Sequence, residues 1–165
     1  MIQLSQALKV IHEADIVHRD IKPENIFISG PTETLKIGDL GISRSIDVKS
    51  GERAKTRIGT PRYVSPEVLK GEDYLFSTDV WSLGIMLCEI CTLDRVMIRP
   101  EKRNKKICKF FTCGEENFVE LPAIERLYGN EMKAIAKKML KENPKDRPTA
   151  AELVLMFQNL PLSIK

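Results

Sequence analysis

His18-Arg19-Asp20-Ile21-Lys22-Pro23-Glu24-Asn25, followed a short distance on by Asp39-Leu40-Gly41, is the stretch of this sequence that decides its fold. Between the two segments lie apolar runs, Ile26-Phe27-Ile28 and Leu35-Lys36-Ile37, separated by Ser29-Gly30-Pro31. That pattern predicts two brief strands joined by a turn. Taken singly, Asp20, Asn25 and Asp39 are ordinary turn residues, because short polar side chains hydrogen-bond their own backbone. Upstream, Leu4, Ala7, Leu8 and Ile11 mark one face of a helix from Met1 to Ala14 that starts without a capping residue. Downstream, Ser43 to Arg62 is polar and basic without periodicity, which predicts a long loop. The remainder is helical. Ser77 or Thr78 can cap a buried helix running to about Cys91, and Met132, Ile135, Ala136 and Met139 form a stripe on another. Thr149-Ala150-Ala151-Glu152 is a capping box that opens a last helix carrying Leu153, Met156, Phe157 and Leu160.

The chain has 165 residues, 42% hydrophobic and 30% charged, which describes one soluble globular domain with a real core. A net charge of +3 and only 6% aromatic residues give no basis for nucleic-acid binding. The apolar stretch Val80 to Cys91 is broken by Ser82, Gly84 and Glu89 and is too short to span a bilayer. No basic region or small-residue cleavage site marks the N-terminus, so a cytoplasmic setting is the expectation, with no membrane and no nucleic-acid partner. Cys88 and Cys91 have C-x-x-C spacing, with Cys108 and Cys113 further on, so a zinc site is formally possible. Their apolar surroundings predict buried, reduced thiols that act as small hydrophobes instead. The basic run Arg99 to Lys106 reads as a solvated loop, with a docking or localisation signal as the sharper alternative.

Further along the chain come Gly59-Thr60-Pro61, Ser65-Pro66-Glu67 and Asp79-Val80-Trp81-Ser82-Leu83-Gly84. With the two opening segments, these five motifs in this order resemble the protein kinases over essentially the whole chain. The resemblance implies a mainly α fold, the C-terminal lobe of a kinase domain with short β-hairpins at the catalytic loop, over residues 1–160 with a tail at 161–165. It also implies transfer of the ATP γ-phosphate to serine or threonine of protein substrates, with Mg²⁺.

By that resemblance, Asp20 accepts the proton of the acceptor hydroxyl, and Lys22 stabilises charge on the transferred phosphoryl. Asn25 and Asp39 hold Mg²⁺, since carboxamide and carboxylate oxygens are hard ligands. Thr60 joins Asp20 and Lys22 in one hydrogen-bonded set, and both Lys22 and Thr60 mark serine/threonine specificity. Phe27, with Ile26 and Ile28, forms the floor under the adenine. Thr56, four residues before Thr60, matches an activating phosphosite, modified by the protein itself or by an upstream kinase. A phosphate there adds about −1.5 to −2 charges and would pair with Arg19, Arg53, Lys55 and Arg57. Glu67 and Arg147 match a buried ion pair that anchors the activation segment. Asp79 matches the residue that bonds the catalytic-loop backbone, and His18 and Leu40 match members of a hydrophobic column.

Arg57-Ile58-Gly59-Thr60-Pro61-Arg62-Tyr63-Val64-Ser65-Pro66-Glu67 and Glu89-Ile90-Cys91-Thr92-Leu93 are most similar to the NIMA-related (NEK) kinases. Leu40, where the family pattern has phenylalanine, is also similar to the with-no-lysine kinases. Upstream of the catalytic loop there is no Gly-rich loop, no V-A-I-K lysine and no adenine-binding hinge. The expectation is therefore a C-lobe with the N-lobe absent. Orientation of reactants accounts for about 7–11 kcal/mol of a barrier, so the chain alone is expected to be very slow or inactive. The alternative is a non-catalytic truncated kinase that acts as a binding scaffold.

Overall fold

The computed structural model describes residues 1–46, 52, 54, 59–93 and 121–161. In chain order the elements are α1 (Ile2–Glu13), β1 (Ile16–Val17), a 3₁₀ turn (Pro23–Asn25), β2 (Ile26–Ser29), β3 (Thr34–Ile37), β4 (Arg44–Ser45), α2 (Pro66–Lys70), α3 (Ser77–Thr92), α4 (Leu121–Met139), a second 3₁₀ turn (Pro144–Asp146) and α5 (Ala150–Gln158).

Helix α3 is the axis of the fold. Every residue from Thr78 to Cys88 is buried, so the helix is enclosed by other elements on all sides over that span. Helix α4 packs on one side of it. The approach is close because Gly84 has no side chain: a Cβ there would lie 2.9 Å from Met139 Cβ and 3.0 Å from Leu140 Cδ2. Leu4 and Leu8 of α1 and Leu153 and Phe157 of α5 complete the same core. Helix α4 holds a backbone break at Gly129, at φ 87 and ψ 173, which divides the predicted stripe from the preceding turn. Helix α5 opens on the predicted capping box, with Thr149 Oγ accepting from the Glu152 amide at 3.2 Å and Glu152 Oε2 accepting from the Thr149 amide at 2.7 Å.

Strands β2 and β3 pair antiparallel from Ile26↔Ile37 to Ser29↔Thr34, as the two apolar runs and the turn between them predict. The pairing of β1 with β4 was not predicted: Arg44 and Ser45 fall in the stretch read as loop, and two-residue strands carry no period. The cap predicted for α3 is corrected. Neither Ser77 nor Thr78 caps it with a side chain, and Phe76 occupies the N-cap position. Thr78 Oγ1 instead shares a hydrogen bond of 2.7 Å with buried Ser65 Oγ, tying α3 to the start of α2.

Cys88 and Cys91 are reduced thiols in the core cluster, filling space as the apolar surroundings predict. Cys108 and Cys113 lie outside the described residues. Burial pushes the Cys91 thiol up to about 11. Relative to an ordinary thiol this lowers the reactive thiolate about a hundredfold at neutral pH. Iodoacetamide is therefore expected to label Cys91 about a hundredfold more slowly in folded than in unfolded protein, read by peptide mapping. Equal rates in the two states would contradict the packing of this face. Among the described residues no helix is long and apolar enough to cross a membrane.

Candidate active site

The loop from His18 to Asn25 owes its shape to one carboxylate on α3. Asp79, fully buried in the first turn, accepts from the His18 amide at 2.9 Å, the Arg19 amide at 2.8 Å and His12 Nε2 at 2.9 Å. Arg19 has φ 71, a left-handed conformation that costs free energy in a side-chain-bearing residue. The Asp79 bonds to both amides offset that cost and fix the turn. The Arg19 side chain runs back to the Ile42 carbonyl, at 2.5 Å from Nε.

His18 links the two acidic segments. It is fully buried, and the Asp20 amide donates to its Nδ1 at 3.3 Å. With Nδ1 accepting, Nε2 carries the proton and donates to the Gly38 carbonyl at 3.0 Å. The β2–β3 hairpin adds a second link, since the Gly38 amide donates to the Asn25 carbonyl at 2.9 Å. Asp39, the next residue, thus stands at the mouth of the hairpin whose other strand follows Asn25. It has φ 59 and an exposed side chain, with Oδ1 accepting from the Gly41 amide at 3.2 Å.

Asp20 is the centre of the arrangement. Its Oδ1 accepts from Thr60 Oγ at 2.7 Å and the Thr60 amide at 3.0 Å, and its Oδ2 lies 2.6 Å from Lys22 Nζ. Lys22 Nζ also donates to Thr60 Oγ at 2.9 Å, closing a three-residue ring. Burial works to raise the Asp20 pKa, but the hydrogen bonds from Lys22 and Thr60 outweigh it and hold the carboxyl below its usual range. The bond to Asp20 conversely raises Lys22. Thr60 reaches Asp20 because Gly59, at φ +116, lets the two backbones touch: a Cβ at Gly59 would lie 2.7 Å from the Arg19 carbonyl oxygen.

Asn25 Nδ2 donates to the Asp20 carbonyl at 2.9 Å and to Asp20 Oδ2 at 3.2 Å. Those two bonds commit the amide nitrogen, so Oδ1 is the atom left to accept. The residues present fit a magnesium nucleotide: Asn25 Oδ1 and the Asp39 carboxylate are hard oxygen donors at one hairpin mouth. Mg²⁺ is typically bound by one or two such protein groups with phosphates completing its shell. Among the described residues no cluster of three or more His, Cys, Asp or Glu is placed to hold a metal. Phe27, 53% exposed, lies on the same hairpin with Ile28 at 71%, and Leu40 is 52% exposed, so the predicted apolar column is open to solvent at Leu40.

Glu67 and Arg147 meet as predicted. Arg147 donates to Glu67 Oε1 at 2.7 Å and Oε2 at 2.8 Å, with side-chain exposures of 0% and 2% for Arg147 and Glu67. Its other N–H groups donate to the carbonyls of Lys141 (2.7 Å), Ser77 (3.1 Å) and Glu142 (3.0 Å), and the guanidinium lies 4.9 Å from the Trp81 ring centre. All five donors of the fork are engaged. Thr56, with Arg53, Lys55 and Arg57, lies outside the described residues, as does the basic run from Arg99.

Two further groups escaped the sequence reading. His12 stacks on Phe76 at 4.9 Å between ring centres and reaches Asp79. Glu89, near the end of α3, accepts from Tyr63 Oη at 2.6 Å and from Arg62 at 3.1 Å. A lone charged residue in the apolar run from Leu83 to Cys91 is the signal that could have marked Glu89.

The sequence matches the protein kinase domain family over residues 1–156, and the chain belongs to that family. It is 33% identical over 153 residues to serine/threonine-protein kinase Nek4 of Mus musculus, covering 93% of this chain and 18% of that protein. With serine/threonine-protein kinase Nek5 of Homo sapiens it shares 37% identity over 154 residues, 90% of this chain and 20% of that protein. With Nek11 of Mus musculus the figures are 38% over 155 residues, 93% and 23%. The chain therefore spans about a fifth of the length of these relatives. The predicted likeness to the NEK serine/threonine kinases is borne out.

Proposed function

We propose that this chain is the C-terminal lobe, over residues 1–160, of a protein serine/threonine kinase domain that moves the ATP γ-phosphate onto serine or threonine hydroxyls of proteins. The observation that carries this reading is the closed ring of Asp20, Lys22 and Thr60. A carboxylate with a depressed pKa stays ionised at neutral pH and is free to accept a proton from an incoming hydroxyl. Thr60 fixes the direction of that carboxylate, while Lys22 stands ready to balance negative charge on the transferred group. Asn25 and Asp39 would hold the cation. Bound magnesium nucleotide supplies the phosphoryl group and neutralises the charge that gathers on its oxygens. Phe27, Ile28 and Leu40 offer an exposed apolar surface beside these groups, which supports the view that a further structural unit and the adenine ring cover it.

The test is Asp39→Ala in the complete protein. Phosphorylation of serine or threonine with Mg²⁺ and ATP is expected to fall by about a hundredfold or more, because the cation that stabilises transition-state charge loses a ligand. Magnesium-dependent nucleotide binding, read by calorimetry, should weaken in parallel. Undiminished transfer would remove Asp39 from the site.

A further inference from the structure

A cleft of about 510 Å³ adjoins the ring just described, with Thr60 on its wall and Pro23, Glu24, Arg62, Tyr63, Glu89 and Leu93 around it. Thr60 holds Asp20, so a segment that delivers its hydroxyl to Asp20 comes close to this cleft. Two carboxylates there could anchor a basic side chain beside the acceptor. Glu24 is exposed, without a hydrogen-bond partner among the described residues. Glu89 is different: its side chain is 10% exposed and both oxygens are taken, Oε1 by Arg62 at 3.1 Å and Oε2 by Tyr63 at 2.6 Å. Burial, with the neighbouring Glu89 carboxylate, holds the Tyr63 phenol protonated, so it donates and does not compete for a cation. Arg62 thus cancels the charge of the more buried acid and sets its own guanidinium, with a 27% exposed side chain, in the cleft wall.

We infer that Arg62 is a specificity-determining residue of an acceptor-peptide cleft: by occupying Glu89 it makes this part of the cleft reject an arginine or lysine flanking the acceptor serine or threonine. A basic side chain that reaches Glu89 meets a like charge and finds that carboxylate taken, which leaves Glu24 as the open acid among the described lining residues. The inference rests on the kinase reading above and deepens it to the class of peptide taken.

The test uses binding, measured by fluorescence anisotropy on the complete protein. Labelled peptides carry one acceptor serine, with alanine or arginine at each flanking position in turn. In the parent protein arginine is expected to bind no better than alanine at the position that meets the cleft. R62Q should raise the arginine-to-alanine ratio there roughly two- to fivefold, about what a partly exposed ion pair is worth. R62K, which keeps the charge, should hold the ratio low, and R62Q combined with Glu89→Gln should abolish the gain. A ratio that R62Q leaves unchanged overturns the inference, as does a gain that survives the loss of the Glu89 charge. Failure of every variant to bind peptide also overturns it. The kinase reading fails separately, only if the complete protein transfers no phosphate to any serine or threonine.

Discussion

Asp20→Asn is expected to lower phosphoryl transfer by the complete protein by about a thousandfold, the range that a positioned general base supplies. The substitution keeps the shape of the side chain and removes its charge and basicity. An amide oxygen in the Oδ1 place still accepts from Thr60, so the loop retains its bond at 2.7 Å. The amide nitrogen, however, would replace Oδ2, which now faces Lys22 at 2.6 Å and Asn25 Nδ2 at 3.2 Å. Two donors would then confront a third, and Lys22 would lose its counter-charge. The loss is therefore expected in kcat, with a folded protein that melts close to the parent. Steady-state kinetics beside a thermal melt separates the two effects. A kcat within a few-fold of the parent would mean that Asp20 takes no proton.

Removing Arg147 is expected to produce the largest loss of stability, about 3–5 kcal/mol for Arg147→Ala. The pair is buried on both sides, and the guanidinium satisfies three backbone carbonyls besides the Glu67 carboxylate. Truncation leaves Glu67 charged with no partner and strands acceptors from Ser77, Lys141 and Glu142. Native domains are stable by only about 5–15 kcal/mol, so this one change removes a large share. Arg147→Lys should recover little, because an ammonium has three donors where five are used and cannot span a carboxylate in parallel. Glu67→Leu paired with Arg147→Met should recover more than either single change, since an apolar pair leaves no buried charge. Denaturant midpoints of the parent and of these five variants decide the matter. An Arg147→Ala midpoint equal to the parent's would show that the pair holds nothing together.

What the sequence revealed depended on how local the physical cause is. The β2–β3 hairpin and the start of α5 were legible because apolar runs flanking a Gly-Pro turn and a Thr-x-x-Glu cap act within a few residues. Asp20, Lys22 and Asn25 were legible because their spacing belongs to one loop. Short elements were not: β1 and β4 have two residues each and no pattern to detect, and α2 has five. The cap predicted for α3 failed because its first turn answers to distant partners. Asp79 serves residues 60 and 61 positions away, and the Ser77 carbonyl serves Arg147, 70 positions on. The partnership of His12 with that carboxylate is set by how α1 packs, which no window along the chain contains. The Arg62–Glu89 pair lies in the same class. Each charge alone reads as surface, and only the fold makes them neighbours.

The contact between Gly59 and the Arg19 carbonyl bears on how this gene can drift. Even one methyl group at position 59 would force the two strands of backbone apart. A lineage still selected for chemistry would purge every replacement at that codon, whereas a copy kept only as a binding partner would be free to accumulate them. The residue found at 59 in its descendants is therefore a record of which use survived.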